Sequence, residues 1–275
     1  MKIALYQACT GLDPTRNAEA LVRAIGEAAS GGAAMLFTPE MSGVLDRDAE
    51  RAGASIFSPD DDPVLAAVRA AAEAQRIWLQ LGSLAIRCED GRLANRSFVI
   101  DDAGAIRATY DKIHLFDVDL PTGERWRESA RYAAGEAPTL VDSPAGILGL
   151  SVCYDIRFPA LYTALSTAGA TVLSIPAAFT VPTGHAHWHL LARTRAVENA
   201  CWVVAAAQRG GHEDGRATFG HSLVVDPWGE VVLDMGDIEG AVGFAELDPA
   251  RVDQVRAAIP AIAHRRAIAA LDSTT

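Results

Sequence analysis

Apolar and polar positions along the chain of 275 residues alternate between strand-like and helix-like spacing. Lys2 to Ala8 is a short apolar run of strand length. Asp13 then offers a capping carboxylate, with Pro14 at a first helical position where a missing N–H costs nothing. Ala18, Leu21, Val22, Ile25 and Ala29 recur at helical spacing, and Gly31-Gly32 ends the helix. Ala33 to Phe37 reads as a buried strand running into Thr38-Pro39-Glu40. A second helix is predicted over Pro63–Gln75, followed by a strand over Ile77–Ile86. Ser97–Ile100 and Ala105–Tyr110 form a predicted hairpin around Asp101-Asp102-Ala103-Gly104. Lys112 to Glu136 shows no period and is long for a loop, a property of functional or disordered segments. Beyond it come strand Ile147–Val152, helix Pro159–Thr167, strand Thr171–Ile175, helix Trp188–Ala200 and strand Trp202–Ala207. Ser222–Val225, Val231–Asp234 and Val242–Glu246 read as strands, and Ala250–Ala258 as a short helix. Helices alternating with strands and hairpins imply an α/β protein with mixed sheets. With no linker, low-complexity tract or repeat in view, residues 1–275 read as one domain.

Composition narrows the partners. Lys+Arg number 24 against 35 Asp+Glu, a net charge of −11 that gives no general pull toward nucleic acid or anionic lipid. Small molecules and further copies of the chain are the expected partners. The opening apolar run is too brief for a secretory signal, and no stretch reaches the roughly 18 apolar residues of a membrane span, so a cytoplasmic protein is expected. Cys9, Cys88, Cys153 and Cys201 are scattered, with no CxxC pair to suggest zinc or redox chemistry.

Three strand ends carry reactive groups. In Ser151-Val152-Cys153-Tyr154-Asp155-Ile156-Arg157-Phe158-Pro159 an apolar strand stops at Cys153 and a helix starts soon after. Such a corner projects a side chain from the sheet end with backbone N–H groups behind it, a setting that suits a thiolate or an oxyanion. Position alone also fits a buried core thiol. Glu40 ends the Ala33–Phe37 run and Lys112 follows another strand; either could equally be a solvated surface charge. A thiol nucleophile needs a base and an oxyanion partner, and a carboxylate and an ammonium at neighbouring strand ends would provide both.

Phe37-Thr38-Pro39-Glu40, Tyr110-Asp111-Lys112-Ile113-His114-Leu115-Phe116-Asp117 and the Cys153 segment resemble the three signature segments of the nitrilase superfamily of carbon–nitrogen hydrolases, in the same order. Thr183 to Trp188, Arg195 to Asn199, Ala205 to Gln208 and Gly220 to Gly229 place the resemblance in the Nit-type branch, nearer its deaminated glutathione amidases than its omega-amidases. The resemblance implies a four-layer αββα sandwich, dimerised, with a Glu40–Lys112–Cys153 triad and no cofactor. It further implies that Cys153 attacks a small, carboxylate-bearing amide and forms a thioester that is hydrolysed to acid and ammonia. Glu40 serves as base, Lys112 and the Tyr154 N–H hold the oxyanion, and Glu128 steadies Lys112. Arg157, Arg209, Phe179 and Thr183 are the expected substrate wall. The chain departs from the branch at His185, His189 and Arg209, where Pro, Glu and Cys are commoner.

Rival readings make different demands. His185, His187 and His189 would share one face of a strand, as metal ligands could, whereas on a helix only His185 and His189 align; no HExxH glutamate lies between them, so no metal is expected. A Cys–His hydrolase would use His114 or His221 and leave Lys112 idle. An omega-amidase, an N-carbamoyl amino acid hydrolase and a nitrilase would share the triad. A silent binding subunit would not need Glu40, Lys112, Glu128 and Cys153 intact.

Overall fold

Helix α1 (Pro14–Ser30) is capped as its sequence predicts: the Asp13 carboxylate accepts from the Thr15 N–H at 2.9 Å, and Pro14 opens the first turn. In this computed structural model, which describes residues 1–121 and 123–268, the strands gather into two six-stranded mixed sheets and two small hairpins. The first sheet is built from β1 (Lys2–Gln7), β2 (Met35–Phe37), β3 (Trp78–Arg87), β4 (Leu93–Ile100) and β5 (Ile106–Asp111). Helices α2 (Ala49–Gly53) and α3 (Pro63–Gln75) lie between β2 and β3 in sequence. Next along the chain, β6 (Asp117–Asp119) and β7 (Arg125–Arg127) pair as a small hairpin.

The second sheet begins with β8 (Leu140–Ser143) and β9 (Gly146–Leu150). It continues through α4 (Pro159–Thr167), β10 (Val172–Ser174), α5 (Val181–Asn199) and β11 (Trp202–Ala205). After the hairpin β12 (Arg209–Gly211) and β13 (Ala217–Phe219) come β14 (Leu223–Val225), β15 (Val231–Asp234) and β16 (Ala241–Glu246), and then α6 (Pro249–Ala258). The second sheet runs β15-β14-β11-β10-β9-β8, while β16 crosses back to pair antiparallel with β1.

Side-chain alternation along the strands produces the layers. On β1 and β2, Ile3, Leu5, Met35 and Phe37 share a core with Leu148, Leu150 and Leu173 of the facing sheet. Their neighbours Ala4, Tyr6 and Leu36 turn the other way, onto Leu21 and Ile25 of α1 and Leu65 and Val68 of α3. Leu161 and Tyr162 of α4 and Trp188 and Ala192 of α5 cover the second sheet. The result is the expected α/β, four-layer αββα arrangement.

Two expected elements come out differently. α5 begins at Val181, seven residues before Trp188, with Pro182 in its first turn, so the polar Thr-Gly-His stretch is helix rather than strand or loop. Its apolar period was masked because its inward face is made by Gly184, Trp188, Ala192 and Arg195 rather than by aliphatic residues. The Lys112–Glu136 segment is also not irregular throughout: besides β6 and β7 it carries a short 3₁₀ turn at Glu128–Ala130.

Candidate active site

Glu40, Lys112 and Cys153 occupy three strand ends at one rim where the two sheets meet: Glu40 follows β2, Lys112 follows β5 and Cys153 follows β9. The turn at Glu40 and the corner at Cys153 both use a left-handed backbone at a non-glycine residue, Met41 with φ 55° and Cys153 with φ 49°. Such conformations persist only where the surroundings over-determine them. Here the Met41 N–H donates to Ser83 Oγ at 2.9 Å, and the Cys153 N–H donates to the Pro176 carbonyl at 2.8 Å. Gly82 of β3 packs so closely on the Thr38 and Pro39 carbonyls that a Cβ there would collide with both. Asp155, fully buried, ties two of the three arms together: it accepts from the Val152 N–H, Tyr110 Oη and the His114 N–H at 2.8–3.0 Å.

At the centre Lys112 Nζ donates to Glu40 Oε1 at 2.8 Å and to both oxygens of Glu128 at 3.0 and 2.8 Å. Burial works against the ammonium, but the Glu128 and Glu40 charges outweigh it and hold Lys112 well above its ordinary pKa. Asn95 Nδ2 bridges the same two carboxylates, at 2.9 Å from Glu40 and 3.0 Å from Glu128. The Ala178 N–H donates to Glu40 Oε2 at 3.1 Å, and the Phe116 N–H to Glu128 Oε2 at 2.7 Å. Each carboxylate therefore has both a counter-charge and neutral donors, and the ammonium spends its donors on the two carboxylates, which is the condition for keeping ions in a low-dielectric site.

The Cys153 thiol lies beside them. Burial, and then the Glu40 charge, push its pKa well above the ordinary value, opposed by Lys112 and by the Ala178 N–H. A thiol so disfavoured as an ion would have to lose its proton on attacking a substrate, and an adjacent carboxylate suits that transfer. This sign carries a prediction. Alkylation of Cys153 by iodoacetamide, which follows the thiolate fraction, is expected to keep rising above pH 9. In Glu40→Gln the charge that disfavours the thiolate is gone while Lys112 remains, so the profile should shift to lower pH. An unshifted profile would separate Glu40 electrostatically from the sulfur.

A cavity of about 570 Å³ opens over the thiol. Tyr154, Arg157, Phe179 and Thr183 line it, with the Arg157 guanidinium 5.6 Å from the Phe179 ring centroid and 5.9 Å from that of Tyr154. Arg209 does not line it: it pairs with Phe219 at the start of β12, and its Nε lies 3.1 Å from Asp237 Oδ1. His114 and His221 do not line it either; they face Asp155 and Asp234 at 2.6 and 2.9 Å. His185, His187 and His189 are not brought together as ligands, since they ride on a helix and His187 turns to Arg157 at 3.3 Å. Asn95, Tyr132 and Arg216 belong to the site without having been predicted. Asn95 precedes the expected strand Ser97–Ile100, and the polar run Asn95-Arg96-Ser97 gives no sign that its amide is buried.

The carbon–nitrogen hydrolase family model matches residues 2–257, and the chain belongs to that family. It is similar to the deaminated glutathione amidase of Yersinia enterocolitica, with 37% identity over 98% of this chain and 94% of the relative. Among solved structures it is similar to the C. elegans NitFhit protein, with TM-score 0.88 and 39% identity over 96% of this chain and 65% of that one. It also resembles a mutant amidase from Nesterenkonia sp. AN1 that shows covalent addition of the acetamide moiety of fluoroacetamide at the active-site cysteine. That match has TM-score 0.79 and 28% identity, and covers 94% of each chain.

Proposed function

We infer that this carbon–nitrogen hydrolase is an amidase that cleaves a small carboxylate-bearing amide through a thioester on Cys153. The observation that carries the reading is the Lys112 ammonium, clamped between Glu40 and Glu128 beside a buried thiol at the floor of an open cavity. In this mechanism Cys153 Sγ attacks the amide carbonyl as its proton passes to Glu40. The Lys112 charge and the Tyr154 N–H stabilise the tetrahedral oxyanion. That N–H stands in the first turn of the 3₁₀ segment Cys153–Arg157, where helical N–H groups lack an internal acceptor. Glu40 then protonates the departing nitrogen, the C–N bond breaks, and ammonia or an amine leaves the thioester. Water deprotonated by Glu40 attacks next, releasing the acid and restoring the thiol. Glu128 fixes Lys112 and the upper edge of the substrate.

Arg157 is the cation suited to a substrate carboxylate, with Phe179 and Thr183 as neutral walls. Arg47 and Arg216, stacked 5.2 and 5.0 Å from the Trp126 ring, give the outer cavity a cationic rim fitted to an extended polar leaving group such as that of deaminated glutathione. The same reading takes the enzyme as a cytoplasmic homodimer working without cofactor. Among the described residues no helix is long and apolar enough to cross a membrane.

Acid formation should be screened over deaminated glutathione, omega-amides of dicarboxylic acids, carbamoyl amino acids, neutral amides and nitriles, with quenched enzyme examined by mass spectrometry. The expected result is turnover of the carboxylate-bearing amides and an acyl mass on the peptide containing Cys153. Preference for nitriles, or turnover without that adduct, would overturn the reading.

A further inference from the structure

Three side chains that this chemistry leaves unused converge at the far edge of α5, outside the cavity lining. His189 comes from the middle of α5, His221 from the turn before β14, and Asp234 from the last position of β15. His189 Nε2 lies 3.0 Å from Asp234 Oδ2, and His221 Nδ1 lies 2.9 Å from Asp234 Oδ1. One ligand atom from each of the three falls within 4.8 Å of the others.

We propose that His189, His221 and Asp234 form a binding site for a divalent cation of the Zn²⁺ class. Two imidazole nitrogens and one carboxylate oxygen are the donor set that such ions select, with remaining positions left to water. Donors about 2.0–2.2 Å from a tetrahedral ion stand roughly 3.4 Å apart, so the two His–Asp234 contacts need only open by a few tenths of an ångström to admit it. The surroundings fix the ligands in advance. His221 has a left-handed backbone, φ 54°, an outlier for a non-glycine residue that turns its ring toward Asp234. That conformation is held by Trp188 Nε1, which donates to the His221 carbonyl at 2.8 Å, and by the His221 N–H, which donates to the Gly236 carbonyl at 3.1 Å. The Gly236 N–H in turn holds Asp234 Oδ1 at 2.8 Å. Phe219 supports both rings, stacked on His221 with centroids 4.4 Å apart and edge-on to His189 at 6.2 Å. Outer contacts of this kind orient metal ligands and set their affinity.

The site's position gives it a consequence. Phe219 ends β13, whose Ala217 and Thr218 line the cavity opposite Thr180 and Thr183 at the start of α5. An ion here staples α5 to the β14–β15 hairpin across Phe219 and stiffens the cavity wall without touching Cys153.

The test uses the full chain with Cys153→Ala, so that the active-site thiol cannot bind metal. Zn²⁺ is titrated calorimetrically into this parent and into versions that also carry His189→Ala, His221→Ala or Asp234→Asn. One equivalent of Zn²⁺ is expected in the parent, with affinity falling at least about tenfold, the lower end for lost supporting contacts, in each derivative. Co²⁺ should give visible d–d bands without thiolate charge transfer. Zn²⁺ at a hundredfold excess over the parent's Kd should raise the parent's Tm by about 5 °C and that of each derivative by no more than about half as much. Should His221→Ala fail to fold, His189→Gln gives the same reading from the other ring. Absence of binding at micromolar Zn²⁺, or equal binding in the parent and the histidine variants, would overturn the proposal.

Discussion

Cys153→Ala is expected to lower amide turnover by at least about 10⁴-fold, since losing a nucleophile removes the covalent route and leaves only binding and electrostatic stabilisation. The reason lies in the division of labour at the site. Glu40 and Lys112 can polarise a carbonyl and move a proton, but neither has a free electron pair aimed at the substrate carbon. Glu40 already accepts from Lys112, Asn95 and the Ala178 N–H. The substitution exchanges one small buried side chain for another, and the Cys153 N–H still holds Pro176, so Tm should move by no more than a few degrees. The left-handed backbone at this position is retained, because Ala meets the same constraint as Cys. Steady-state rates and a thermal melt on the same preparation check both halves. Turnover within tenfold of the natural chain would remove the thioester from the mechanism.

Lys112→Met should damage stability as well as rate. The ammonium is almost wholly buried and is the counter-charge for two carboxylates; its loss leaves Glu40 and Glu128 facing each other across Asn95. Breaking a buried ion cluster by removing one partner costs about 3–5 kcal/mol, because uncompensated charge stays behind. Turnover should fall by about 10³-fold through loss of the oxyanion's cationic partner. Chemical denaturation of the variant beside the natural chain measures the stability loss directly, and equal stability in the two would show that the carboxylates do not repel. A Cys–His mechanism predicts little change in rate, so the same variant separates the two chemistries.

Where order was local, the chain was readable. Asp13-Pro14 and Pro63 marked helix starts that the structure places at Pro14 and Pro63, and the turn Asp101–Gly104 marked the β4–β5 hairpin. The reactive trio was legible because each member stands at a strand end within a dense motif. What escaped notice depends on distance in sequence. Asn95 acts by touching residues 55 and 33 positions away, and nothing next to it in the chain signals that. Arg209 was placed on the substrate wall by its neighbourhood in sequence, yet its side chain turns to Asp237. The histidines of α5 looked like a set of three, but helical geometry separates them and joins His189 to partners on another sheet edge.

Glu40 and Lys112 belong to the first sheet, whereas Cys153 belongs to the second. Neither sheet alone can do the chemistry, since one carries the proton carrier and the cation and the other the thiol. The reagent exists only across the seam between the sheets, so a small slide of one sheet on the other would part the base from the sulfur while leaving every strand pair intact.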